Sequence, residues 1–581
     1  MALNRHMEST IRPSGCLTWL RSLGGIRGAS ENRVIDYAVV GAGCAGTYVA
    51  YRLAKERPEQ SVELFEASAR VGGRLLTVRV PGMTHRAELG GMRFTDKQPW
   101  INGLVGHLGL RETPFDYPLE AWYVRGRHLR GGSPSRATCD HCGGPEGLPY
   151  SLLKNEPTEF DALIRRAISE ALREAFAVFD TNVLLAQGLT NDSDPQTITP
   201  DQWAFIKRHV KFHDRSLYEV GFWNLLQWYL GSEAFLFLHD ALGYESVLAN
   251  WNAAEALPWF LADFVAAYRT LGDGMDTLPI TLADRGVGEE RIRRFHELET
   301  ITRGPGDTLD LGFRLTKPND RGHVSVRARN LILAIPQAPL KRISERNQFN
   351  LGGLLNAVTA HPLFKLFLGY ERPWWAHHSA IGKEFGKAVT DLPIRQVYYF
   401  PRSGHPGPSE SRAALMASYS DEHYVDFWRP LLIRKPFYYT GELLDDSEDG
   451  RLQQSHLAAF GVWSPLVKKA QRQLRQLHPD VPDMPEPYVA LMFDWTERRR
   501  NFGGGWHTWN VHERPWQVMR SLIRPLEGLN VHICGEAFST DQGWVEGALQ
   551  SAELVLRALG LGRPQWLPAT DYNRLDLAVS G

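Results

Sequence analysis

The chain has 581 residues, 43% of them hydrophobic and 23% charged, with a formal net charge of -1. That length exceeds one compact core, so two or three domains are expected. The balanced charge gives no electrostatic basis for a nucleic-acid partner, and no apolar run approaches the ~18 residues of a membrane span.

Residues 1–33 read as an N-terminal extension with several Arg and a Gly/Ser-rich end. Their apolar piece, 16–20, is too short for a signal-peptide core. A cytoplasmic location is expected, with an organelle transit peptide as the alternative. The five cysteines are Cys16, Cys44, Cys139, Cys142 and Cys534. An odd, scattered set fits a reducing compartment better than a disulfide framework. Cys139 and Cys142 form one C-x-x-C pair without a second pair at zinc spacing, so a surface loop is expected there and no metal site.

Residues 35–40 read as a buried strand running into glycines, 47–55 as a helix and 61–65 as a second strand. This β-α-β start implies a parallel sheet with a right-handed crossover. Between strand and helix, Gly41, Gly43 and Gly46 fit G-x-G-x-x-G. The first glycine permits the tight turn, the second lets the backbone approach a pyrophosphate, and the third lets helix and strand pack closely. The helix start offers N–H groups and a positive dipole end to phosphates. Glu66 closes the second strand, where a carboxylate can take ribose hydroxyls. These features indicate dinucleotide binding but do not separate FAD from NAD.

Further along, 125–149 is rich in Gly, Pro and Ser and reads as a loop. Residues 156–269 turn helical, with apolar spacings of three and four in 160–179 and 222–238. Strand-like runs return over 291–335, and 358–372 reads as one more strand, rich in aromatics. The segment 404–411 is a turn-rich linker, and 529–559 reads as a last strand, turn and helix. No repeat of fixed period is seen.

Four motifs carry a resemblance. Val71-Gly72-Gly73-Arg74 follows Glu66. Glu88-Leu-Gly-Gly-Met92-Arg93-Phe94 comes next. Cys534-Gly535-Glu536 and Gly543-Trp544-Val545-Glu546-Gly547-Ala548 lie near the C-terminus. In these motifs the chain resembles the flavin amine-oxidase family, and more closely its L-amino-acid-oxidase branch. The likeness runs over 34–560 and is loose over 101–260. It implies an α/β fold: a Rossmann-type FAD-binding domain (34–100, 267–345 and 525–565), a mixed-sheet substrate-binding domain (101–150 and 346–524) and a helical subdomain (151–266). It also implies that FAD is held by Gly41, Gly43, Ala45, Gly46, Glu66, Ala67, Gly73, Arg74, Gly91, Met92, Arg93, Leu298, Trp495, Gly535, Glu536, Gly543, Trp544 and Val545. The family's covalent link uses a cysteine between a tryptophan like Trp495 and the Gly-Glu strand end. Here that stretch holds Gly503-Gly504-Gly505-Trp506 and no such cysteine, so non-covalent FAD is expected.

The same resemblance assigns the substrate residues. Arg93 matches the arginine that binds the substrate carboxylate, a role suited to a planar, two-pronged guanidinium; the structural alternative is an internal pair with Glu88. Tyr419 matches the tyrosine that gives the carboxylate a second hydrogen bond, with a plain core aromatic as the alternative. Lys365 is a lone cation in an apolar strand, a costly placement unless it is partnered or lines a cavity. It matches a lysine that holds a water beside the flavin N5, and a snorkelling surface lysine is the alternative. Trp495 and Trp544 match aromatic walls, where core packing would be the simpler role.

The implied reaction is oxidation of an L-amino acid by FAD and dioxygen, with Lys365 and Trp544 at the reacting centre and Arg93, Tyr419, Gly543 and Trp544 holding the substrate. The Gly543 carbonyl would orient the amine. The products are a 2-oxo acid, ammonia and hydrogen peroxide. Two rivals stand beside it: an amino-acid 2-monooxygenase, which runs 221–225 and 250–252 resemble, and a flavoprotein without amino-acid turnover. The specificity pocket is expected from the helical block and Trp374-Trp375, with Asp240 and Glu245 as candidates for selecting a basic side chain. No motif encodes oligomeric state; a two-fold homodimer is the commonest symmetric assembly.

Overall fold

The opening strand Val34–Val40 lies between two parallel neighbours, Val62–Phe65 and His323–Leu333, and helix Cys44–Glu56 makes the crossover. These are coordinates of a computed structural model that describes residues 33–130, 148–249, 251–317, 322–378, 381–405, 407, 410–432, 458–460, 465–496 and 503–580. The full sheet runs Ile292–Arg293, Val62–Phe65, Val34–Val40, His323–Leu333, Leu309–Leu315 and His296–Arg303. His323–Leu333 is long enough to serve two partners on one side. Its first half pairs antiparallel with Leu309–Leu315, and its end pairs parallel with Val531–Ile533. The carboxyl ends of four parallel strands therefore converge. The glycine turn follows Val40, Glu66 follows Phe65, Ala334 follows Leu333, and Cys534-Gly535-Glu536 follows Ile533. In α/β sheets that edge is where ligands bind.

A second sheet has eight strands in the order Ala458–Phe460, Val489–Asp494, Leu363–Tyr370, Ala413–Asp421, Gln396–Tyr399, Gly386–Thr390, Leu119–Val124 and Arg127–Arg130. All pairs are antiparallel except Gly386–Thr390 with Leu119–Val124, so the sheet is mixed. The single strand expected over 358–372 is two. Val358–His361 pairs with Trp506–Trp509, while Leu363–Tyr370 enters the large sheet. Pro362 stands at the division and has no N–H for a ladder. The loop expected over 125–149 starts as a strand: Arg125 and Gly126 turn with positive φ, and Arg127–Arg130 returns as a hairpin. Cys139 and Cys142 lie outside the described residues.

The helical block holds Phe160–Ala177, Thr181–Ala186, Pro200–His209, Phe222–Tyr229, Ser232–Leu242 and Ala253–Asp263. Leu163, Ile164, Ala167, Ile168, Ala171 and Leu172 form one apolar stripe, packed with Phe222, Leu225 and Leu238 in a shared core. The helical run over 222–238 breaks at Gly231, whose N–H donates to Glu156 Oε1 at 2.6 Å.

Two helices sit away from the unit expected for them. Pro99–Leu108 buries Trp100, Ile101, Leu104 and Leu108 in a core with Tyr48 and Leu549, on the nucleotide side. Pro515–Ile523 buries Val518, Met519 and Leu522 with Leu331 and Ile533 of the nucleotide sheet. A small third sheet, Phe94–Thr95, Tyr268–Leu271 and Glu112–Pro114, brings residue 268 beside Arg93.

Candidate active site

A cavity of about 1050 Å³ runs from the glycine turn to the helical block. It reaches the upper end of ordinary small-molecule sites. At its nucleotide end the backbone is bare. Gly41 has φ +105° and a Cβ there would lie 2.4 Å from the Ala334 carbonyl oxygen. Gly43 faces Gly73, whose Cβ would lie 2.8 Å from the Gly43 Cα. Gly46 does not line the cavity. A Cβ on it would sit 1.9 Å from the Gly41 oxygen, so its role is the close fit of helix against turn. No side chain caps helix Cys44–Glu56, so its first N–H groups remain for a ligand. Glu66 lines the cavity while accepting N–H bonds from Ala42 and Ser68, both at 2.8 Å.

Arg74 and Glu536 meet across this floor as an ion pair. Glu536 also accepts from the His507 N–H at 3.1 Å, His507 Nδ1 at 2.9 Å and the Gly543 N–H at 2.7 Å. Burial alone would push its carboxyl up, but Arg74, His507 and these donors hold it well below the usual range. Gly543 has φ +84° and stands where a Cβ would meet the Trp506 ring at 2.9 Å. Trp544 and Val545, at the start of helix Val545–Ala558, line the cavity beside it. The helix start is again without a side-chain cap.

At the substrate end stands Arg93. Its guanidinium lies 3.8 Å from the Tyr268 ring centroid and 5.9 Å from that of Phe115. Among the described residues no carboxylate lies within 4 Å of it. Glu88 does not pair with Arg93. Its oxygens accept from the Thr77 hydroxyl at 2.9 Å and the Met275 N–H at 3.0 Å, and burial pushes its carboxyl up to about 8. Despite burial, the surrounding Tyr268, Tyr398 and Tyr244 phenols and the Asp263 carboxylate keep Arg93 firmly charged.

Lys365 does not snorkel. It is 2% exposed, and Nζ donates to the Glu88 carbonyl at 3.0 Å and the Gly90 carbonyl at 2.6 Å. Burial pulls the ammonium down to about 7, against the pull of Glu88. Nζ lies 4.5 Å from the Tyr419 ring centroid, because Lys365 and Tyr419 are cross-strand partners. Tyr419 meets Tyr244 edge-on at 5.1 Å. Trp495 fixes its ring by donating to the Leu89 carbonyl at 2.8 Å.

Gly41, Gly43, Ala45, Glu66, Ala67, Gly73, Arg74, Gly91, Met92, Arg93, Leu298, Lys365, Tyr419, Trp495, Gly535, Glu536, Gly543, Trp544 and Val545 all border this cavity. Four expected specificity residues do not. Trp374 and Trp375 pack with Tyr370 and Tyr399 in the core on the other face of the large sheet. Asp240 accepts from the Tyr150 hydroxyl and His239, and Glu245 faces His239 and His423, at the joint between the helical block and the large sheet. Both acids are spent on neighbours. The helical block instead contributes Leu242, Tyr244, Trp259, Phe260 and Phe264. Reading the sequence missed Tyr244, Trp259, Tyr268, Lys387, Tyr398 and Trp506 in this wall. Tyr268 and Trp259 gave no signal, being brought in by distant chain.

Cys44 and Cys534 are buried free thiols, each pushed up to about 12 by burial. Neither is a ready nucleophile.

The sequence matches the family described as flavin containing amine oxidoreductase over residues 45–432 and 464–558. It is 26% identical to aplysianin-A of Aplysia kurodai, over 93% of this chain and 93% of that protein. It is 24% identical to the flavin-dependent L-tryptophan oxidase RebO of Lentzea aerocolonigenes, over 90% of this chain and 98% of that one. The fold resembles a solved structure of putrescine oxidase bound to putrescine, with TM-score 0.57 and 18% identity, over 91% of this chain and 100% of the other. The bare glycine cradle, the Glu66 strand end and the Arg74–Glu536 floor suit FAD, and the chain belongs to the family of flavin containing amine oxidoreductases.

Proposed function

We propose that this protein oxidises L-amino acids to 2-oxo acids, releasing ammonia and hydrogen peroxide, with non-covalently bound FAD. The observation that carries the proposal is Arg93: a charged guanidinium inside the cavity with no carboxylate of the protein within 4 Å among the described residues. A buried cation without an anionic partner is expensive, so a carboxylate-bearing substrate is its natural complement. The L-tryptophan oxidase among the relatives supports the same reading.

Bound FAD would supply the acceptor for a hydride equivalent from the substrate Cα and the route of those electrons to dioxygen. The glycine turn and the uncapped helix start would hold its phosphates, Glu66 its ribose, and Arg74 with Glu536 the floor beneath it. Arg93 receives the substrate carboxylate and fixes its orientation, with Tyr419 as second donor. The Gly543 carbonyl orients the amine, and Trp544 closes the wall. The Lys365 ammonium donates to two carbonyls and has a third N–H to donate to a water. The aromatic wall of Tyr244, Trp259, Phe260 and Phe264 excludes bulk water.

The test is a screen of the twenty amino acids for peroxide release, with product analysis of the best one. A 2-oxo acid with stoichiometric peroxide is expected. An amide formed with loss of carbon dioxide would replace the reading by a 2-monooxygenase, and no turnover of any amino acid would end it. The purified protein should be yellow and release free FAD on denaturation. Flavin that stays on the denatured chain would contradict non-covalent binding.

A further inference from the structure

We propose that Lys387 is a positioning residue that holds the Tyr398 phenol beside Arg93, and that Tyr398 is thereby a hydroxyl partner of Arg93 in binding the substrate carboxylate. The inference rests on the reading that the substrate is an amino acid.

The large sheet sets the arrangement. Lys387 and Tyr398 are cross-strand partners, as are Lys365 and Tyr419, with Tyr398 and Tyr419 on neighbouring strands. Cross-strand partners share a face of the sheet, and all four side chains border the cavity. The two pairs are offset along the sheet, since Tyr398 stands opposite Met416 and Tyr419 opposite Gln396. Lys365 stands against Tyr419, and Lys387 Nζ lies 5.2 Å from the Tyr398 ring centroid.

The two phenols differ in company. Tyr419 packs against Tyr244. Tyr398 is 1% exposed, with Lys387 over its ring, and its ring centroid lies 6.1 Å from that of Phe115, whose ring Arg93 also approaches at 5.9 Å. Burial pushes its phenol up, yet the nearby charges of Lys387 and Arg93 bring it below the ordinary tyrosine value, and its hydroxyl donates to Gln396 Oε1 at 3.4 Å. Lys387 has no carboxylate within 4 Å among the described residues, and Asp263 is the acid that acts on it from a distance. A half-buried ammonium so placed is held by the phenol. The Tyr398 hydroxyl is then fixed next to the Arg93 fork, where one carboxylate can meet both groups.

The experiment compares the flavin-loaded wild type with Lys387→Met, Lys387→Arg, Tyr398→Phe and the Lys387→Met/Tyr398→Phe double variant. KM and kcat are measured for the best L-amino acid. Kd is measured for benzoate, a carboxylate with no oxidisable Cα–H, from the change in flavin absorption. Lys387→Met and Tyr398→Phe should each raise KM and the benzoate Kd about tenfold, the loss of a hydrogen bond to a charged group. The value of kcat should change less than about threefold, because this contact is made equally before and during reaction. The double variant should bind no worse than Tyr398→Phe, and Lys387→Arg should restore most of the affinity. Wild-type KM and Kd in Lys387→Met would overturn the proposal, as would effects that multiply in the double variant. Should Lys387→Met fail to hold flavin, Tyr398→Phe decides alone, and an unchanged benzoate Kd there overturns it. The amino-acid reading is judged separately, on turnover by the wild type.

Discussion

The guanidinium of Arg93 lies 3.8 Å from the ring centroid of Tyr268, a residue brought alongside by the pairing of Tyr268 with Thr95. The Tyr268 hydroxyl is itself held by Asp263 at 2.6 Å. Stacking uses the flat face of the guanidinium and leaves its in-plane donors free, which suits a two-pronged grip on a carboxylate.

Arg93→Lys keeps the charge but loses both the flat face and the fork, so it should not be mild. Removing one partner of a buried charged pair costs about 2–5 kcal/mol, or roughly 30- to 4,000-fold in kcat/KM. The loss should be confined to substrates with a free carboxylate. The decarboxylated analogue should be poor for the wild type and little worse in the variant. Equal losses for both substrates, or loss of FAD, would make Arg93 structural.

Burial holds the Lys365 ammonium down to about 7 in the folded protein, and the Arg93 charge adds to this. Its positive charge is present below that pH and is lost as pH rises through it. A cation beside the reacting centre favours the step in which electrons pass to dioxygen and negative charge develops. Flavin reoxidation should therefore slow as pH rises through about 7. In Lys365→Met it should be slower at acid pH, by about tenfold or more, and nearly flat with pH, while substrate binding changes little. Rapid-reaction measurement of both half-reactions checks this, and a variant with wild-type rates in both removes Lys365 from the mechanism.

Glu536 joins segments 462 residues apart through Arg74. Its carboxyl is depressed in the fold, so its stabilisation is complete above the unfolded carboxylate range and fades as pH falls below it. Glu536→Gln leaves Arg74 without its anion and should cost about 3–5 kcal/mol at neutral pH. The gap between variant and wild type in thermal unfolding should narrow toward pH 3. A gap that stays constant from pH 7 to pH 3 would refute the role of this charge.

Gly46→Ala places a methyl on the Gly41 oxygen. The helix must shift, and flavin occupancy should fall together with about 1–3 kcal/mol of stability. Gly106→Ala is the control. No atom lies within 4 Å of the new methyl, in a regular helix, so about 0.5–1 kcal/mol of added stability is expected. Full flavin content in Gly46→Ala would mean that the helix accommodates the change.

Contiguous sequence was enough to define the nucleotide half. The glycine spacing, the strand before it, the helix after it and Glu66 act over a single β-α-β unit, where period and turn chemistry are local. Arg93, Lys365, Gly543 and Trp544 were legible through short motifs that happen to carry the chemistry. The walls between them were not. Tyr268 reaches Arg93 through pairing with a strand far away in the chain, and Trp259 arrives on a helix whose own pattern only marks it as apolar. Trp374 and Trp375 were expected at the pocket, yet the turn and short helix that follow Leu363–Tyr370 pack them into the core on the other face of the large sheet. Lys387 and Tyr398 became neighbours through strand register, and a one-residue slip would send each to the opposite face. Local spacing says which residues can do chemistry, while the pairing of distant strands decides which of them share a cavity.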